Sequence, residues 1–114
     1  MSAESLAPQR RMVLRSFKPL VKGVLRGFVE IELPSGLVVS DCPVLVSNGK
    51  AWATLPSKPV LDRQGRQVET NGKRQYAPVV AWRDRDLSNR FSQAVIELVR
   101  AAHPDALDDN EVAA

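Results

Sequence analysis

The residues able to do chemistry in this chain are its cations, and the chemistry they suit is the holding of phosphate. Arg83, Arg85 and Arg90 bracket the start of an amphipathic segment. Free backbone N–H groups at a helix N-terminus, together with guanidinium forks, form an anion site. Arg90 precedes Phe91 and so points off the apolar side. The competing reading pairs Arg83 and Arg85 with Asp84 and Asp86 as solvated surface ion pairs, which contribute little. Lys58 lies between Pro56 and Pro59, in a corner stiffened by both rings. It is either a preorganised phosphate ligand or a solvated lysine on a rigid turn. Lys73 and Arg74 follow Gly72, and Arg63 and Arg66 flank Gly65. Basic loops hinged by glycine can fit a phosphate backbone, although an ordinary polar loop has the same composition.

Reaction chemistry is not expected. Cys42 is the only cysteine and His103 the only histidine, so the usual zinc ligand sets cannot be assembled. There is no Gly-x-Ser-x-Gly elbow and no Gly-x-x-x-x-Gly-Lys loop. The carboxylates Asp84/Asp86 and Asp108/Asp109 lie in charge-rich segments. No cofactor and no small-molecule substrate is implied, and the chain reads as a non-enzyme. Trp52, Tyr76 and Trp82 would stack on unpaired bases if exposed. In a chain with only six aromatic residues they are expected in the core instead.

Charge is unevenly distributed. The formal net charge is +3 over 114 residues, but residues 97–114 hold five carboxylates against Arg100 alone. Residues 1–96 therefore carry fifteen basic and eight acidic side chains, a balance of +7. A basic body with an acidic tail suits a polyanionic partner; the alternative is charge that serves solubility. A lone cysteine fits a reducing compartment. No apolar run reaches the ~18 residues of a membrane helix. The N-terminus lacks the apolar stretch of a signal peptide. A cytoplasmic location is the expectation.

The elements that must position these cations follow from periodicity. Residues 1–11 read as a disordered basic arm, 12–104 as one domain and 105–114 as an acidic tail. Strands are expected over 12–18, 24–33, 37–47 and 50–55. Val29, Ile31 and Leu33 alternate with Glu30 and Glu32, the pattern of a half-buried sheet. Pro19 marks an edge strand or its end. Gly27 inside the second strand signals a bulge or a close backbone approach. Asn48-Gly49 between apolar runs predicts a type I′ hairpin, which needs positive φ at both central residues. Residues 56–75 read as a long loop, and 76–82 as a short fifth strand or an extended packing segment. The spacing of Leu87, Phe91, Ala94, Val95, Leu98 and Ala102 predicts a helix over 87–102, with Asp86 as N-cap. The fold class is α+β: an antiparallel meander of four or five strands with the C-terminal helix packed on it.

These residues resemble the stage V sporulation protein G (SpoVG) family, the septation proteins. The similarity is tightest from Val38 to Pro59: a strand with Asp41, the Val44-Leu45-Val46 run, the Asn48-Gly49 turn, then Pro56-Ser57-Lys58. Ala77-Pro78-Val79 and the run Arg90 to Ile96 add to it. The resemblance implies a homodimer built by strand pairing that binds DNA and RNA through basic residues around the helix. It also implies a role in gene regulation or septum formation. The chain departs from the family pattern in its basic N-terminal arm, in Pro59 after Lys58, in a longer 60–75 loop, and in Leu87-Ser88-Asn89 at the helix start. Two readings stand: a nucleic-acid-binding dimer, or a protein-interaction adaptor that pairs an edge strand, of which the first strand is the freer candidate.

Overall fold

Alternation along the strands decides which side chains meet. The computed structural model describes residues 11–108. Its main sheet contains β1 (Val13–Lys22), β2 (Leu25–Glu32), β3 (Val38–Ser47) and β4 (Lys50–Ala53), antiparallel and in sequence order. Away from their irregularities the two central strands alternate, one side chain inward and the next outward. Val29 and Ile31 of β2 and Cys42, Val44 and Val46 of β3 are buried, as is Ala53 of β4. A helix, α1 (Arg85–Ala102), covers that face with Phe91, Val95, Ile96 and Val99. The α+β meander with a packed C-terminal helix is thus as the sequence predicts.

Local chemistry explains the turns and irregularities. Asn48 and Gly49 sit at φ 53° and 77°, so the β3–β4 turn has the positive pair that this dipeptide tolerates best. Gly27 is a close-approach glycine. A Cβ there would lie 2.5 Å from the Lys18 carbonyl oxygen and 2.7 Å from the Phe17 ring. The β2–β3 register also shifts between Leu25 and Gly27 and again between Val29 and Ile31. Asp41 takes φ 59° at the second shift. β1 runs past Pro19 to Lys22, and the proline is tolerated because β1 is an outer strand of the sheet. At the opposite edge the Ala53 N–H donates to Ser92 Oγ of the helix at 2.9 Å.

Several expectations need correction. The helix starts at Arg85, and its N-cap is Asp84 rather than Asp86. Its buried stripe takes in Ile96 and Val99, while Leu98 is partly buried and Ala102 exposed. Packing continues beyond residue 104, because Leu107 lies in the core cluster at 6% exposure. The proposed arm before residue 11 and the tail after residue 108 lie outside the described residues. Residues 56–75 are not a plain loop. β5 (Ser57–Pro59) pairs with β8 (Tyr76–Pro78), and β6 (Glu69–Thr70) pairs with β7 (Lys73–Arg74). An isolated bridge joins Leu61 to Gln67. Val60, Val68 and Gln75 bond to one another through the backbone at 2.8–2.9 Å. The segment is therefore a ribbon that forks into two small hairpins. The fifth strand foreseen over 76–82 is short, and it joins this ribbon instead of the main sheet.

Phe91 should dominate the helix–sheet contact. Truncation of a buried phenylalanine costs about 3–5 kcal/mol. In urea unfolding, Phe91→Ala should show a loss of that size. Leu98→Ala, at a partly buried position, should lose distinctly less.

Candidate nucleic-acid interface

The helix N-terminus is already occupied by the chain's own carboxylate. Asp84 takes an extended backbone (φ −150°, ψ 168°), and its Oδ1 accepts the Leu87 N–H at 2.9 Å. Arg83 Nε lies 3.3 Å from Asp84 Oδ2, and Arg90 Nε lies 3.1 Å from Asp86 Oδ2 one helical turn away. Both pairs are well exposed, so neither stabilises the fold by much. Their effect is on availability: each arginine faces a competing carboxylate. Arg85 has no ion pair among the described residues. It borders a groove with Thr54, Leu55 and Ser88. Arg90 borders a different one, with Met12, Leu33 and Leu87. Arg85 and Arg90 therefore border different grooves, and Arg83 lines neither of them.

Lys58, Lys73 and Arg74, by contrast, share the forked ribbon. Lys58 is on β5, opposite Ala77; Lys73 and Arg74 form β7. Residues 56–78 carry Lys58, Arg63, Arg66, Lys73 and Arg74 against Asp62 and Glu69. All five cations are exposed, and none has an ion pair among the described residues. Asp62 is committed to its own turn, where Oδ1 accepts the N–H groups of Gln64 and Arg66 at 2.9 Å each. This is an Asx-type turn, which holds Arg63 at the tip of one prong.

The N-terminal cations divide between roles. Arg15 is held by Glu32 at 2.9 Å and Glu30 at 3.1 Å. The hydrogen bond to Glu32, then that to Glu30, raises its pKa above the ordinary guanidinium value. Arg26 is buried at 1% exposure and donates to the Gly23 and Leu25 carbonyls at 2.7 and 3.0 Å. It belongs to the fold and not to a binding surface. Lys18 and Lys22 of β1 remain exposed.

The aromatic residues are not all core. Trp82 packs on the core, its ring 5.3 Å from Phe91. Trp52 stands opposite Leu45 on the outer face of the sheet, because its neighbour Ala53 takes the inward position. Tyr76 is 55% exposed. Cys42 is fully buried, and desolvation, then Asp41, pushes its pKa up to about 11. Among the described residues no cluster of three metal-ligating side chains occurs, and no helix is long and apolar enough to cross a membrane. No family model, curated protein or solved structure matches this chain.

The buried thiol has a pH signature. The unfolded chain releases the Cys42 proton near the ordinary value of 9.0, whereas the native chain holds it to about 11. Native protein therefore binds more protons in that window, and stability falls as pH rises from 9.0 to about 11. A disulfide reagent at pH 8 should label Cys42 only when denaturant is added. Rapid labelling of the folded protein would contradict its burial.

Proposed function

We propose that this protein is a non-enzymatic, regulatory nucleic-acid-binding protein that acts by occupancy. The proposal is in keeping with the SpoVG-like resemblance of its sequence. The observation that carries it is the forked ribbon: five exposed cations without an ion pair among the described residues, and only two carboxylates on the same segment. A polyanion that meets such a surface releases its counterions without first displacing protein carboxylates. The helix arginines contribute less on this reading, since Arg83 and Arg90 must leave Asp84 and Asp86 to reach a phosphate.

The same reading includes a homodimer. β1 is an outer strand of the main sheet, and it presents exposed Val13, Leu20 and Val21. A second copy paired along β1 would satisfy that edge. Light scattering at micromolar concentration should then return twice the chain mass.

The decisive comparison is between two variants across a salt series. Arg63→Ala/Arg66→Ala/Lys73→Ala/Arg74→Ala should weaken binding to duplex DNA and flatten the salt slope by about 0.9 for each phosphate no longer neutralised. Arg83→Ala/Arg85→Ala/Arg90→Ala should weaken it less. Wild-type affinity in the ribbon variant at low salt would refute the assignment.

A further inference from the structure

The register of the main sheet assembles a second feature, on the face turned away from the helix. Lys18 stands opposite Phe28, and Phe28 opposite Pro43. Lys22 stands opposite Leu25, Leu25 opposite Leu45, and Leu45 opposite Trp52. Directly opposed residues of neighbouring strands share a face. Their sequence neighbours Val29, Cys42, Val44 and Ala53 are the buried inward ones, so these rows lie outward. Lys50 follows onto the same side, two residues before Trp52. The base of the ribbon closes over one end. A groove of about 740 Å³ lies between Phe28, Pro43 and Leu45 on the sheet and Pro56, Ser57 and Tyr76 on the ribbon. Asp41 is its one carboxylate.

We infer that this outer face is a stacking platform for unpaired bases, so that the ligand of the proposed nucleic-acid site is single-stranded. The inference rests on the nucleic-acid reading and narrows it. Phe28, Trp52 and Tyr76 place aromatic rings on a side of the sheet that no helix covers among the described residues. Lys18, Lys22 and Lys50 stand around them without an ion pair among the described residues. Glu30 and Glu32 follow Phe28 along β2 on this side, and both are paired with Arg15. Apolar rings bordered by uncompensated lysines match the two halves of a nucleotide, a base to stack and a phosphate to pair. A duplex hides its base faces inside the stack and can use only the lysines. Asp41 adds a preference: at the groove it repels phosphate but accepts hydrogen bonds from the amino groups of cytosine, adenine or guanine.

The full chain is titrated with a fluorescein-labelled single-stranded oligonucleotide, the duplex of equal length, and heparin. Tyr76→Ala, at an exposed position, should weaken single-strand binding roughly tenfold, the value of about one stacked base. Phe28→Ala should act in the same direction. Heparin and duplex affinities should be unchanged in both variants. In a Trp82→Phe background, single strand but not heparin should quench the remaining Trp52 emission. If single strand, duplex and heparin bind the wild type and all three are indifferent to Tyr76→Ala and Phe28→Ala, the platform is overturned while the basic ribbon stands. If none of the three binds wild type at low salt, the nucleic-acid reading itself falls. If the variants instead halve the mass in solution without discriminating between the ligands, the face belongs to a second copy and the platform is overturned.

Discussion

The helix α1 packs against one side of the four-stranded sheet, and the rest of the described structure follows from that contact. Phe91, Val95, Ile96 and Val99 of α1 bury the inward row of Val29, Ile31, Cys42, Val44 and Val46. Each such aliphatic or aromatic side chain contributes about 1.5–3 kcal/mol on burial. That contact fixes which strand residues face in. It therefore also fixes which face out: Phe28, Leu45 and Trp52 are outward because Val29, Val44 and Ala53 are inward. The helix also reaches the β4 edge, where Ser92 accepts the Ala53 N–H, while β1 is the outer strand on the other side of the sheet.

Electrostatics then separates two groups of cations that look alike in composition. Around the helix start, arginine and aspartate alternate along the chain, and the pairs form locally: Arg83 with Asp84, Arg90 with Asp86. The helix dipole, which favours an anion at this end, is answered by the Asp84 carboxylate. On the forked ribbon the carboxylates are fewer, and Asp62 spends its acceptor on backbone N–H groups. The field of the ribbon is therefore the less compensated of the two. Longer-range attraction of a polyanion depends on such uncompensated charge.

Much of the fold was legible in sequence, for reasons that can be stated. The Asn48-Gly49 turn was readable because few residue pairs accept positive φ twice in succession. The central strands were readable from alternation, and the helix from its three- and four-residue apolar spacing. Its start was misplaced by two residues because Asp84 and Asp86 are equivalent caps by residue type; only the geometry of the Leu87 N–H distinguishes them. The forked ribbon was missed because strands of two or three residues are too short to show a period. Among the candidate site residues, Lys58, Lys73 and Arg74 fall together on that ribbon, whereas Arg85 and Arg90 border different grooves. The outer lysines Lys18, Lys22 and Lys50 come from two different strands, and only register brings them beside Phe28 and Trp52. The one available signal was the other half of the β2 alternation, Phe28 on the side opposite Val29.

The central claim is a division of labour: one sheet face packs the helix, while the other, with the ribbon, meets a nucleic acid. Amide chemical-shift mapping with a single-stranded oligonucleotide tests it most directly. The account predicts shifts at Lys18, Phe28, Leu45, Trp52, Tyr76 and the Arg63–Arg74 prongs, with Val95 and Val99 unmoved. Shifts confined to Arg83–Arg90, with the ribbon and outer strand positions silent, would contradict it.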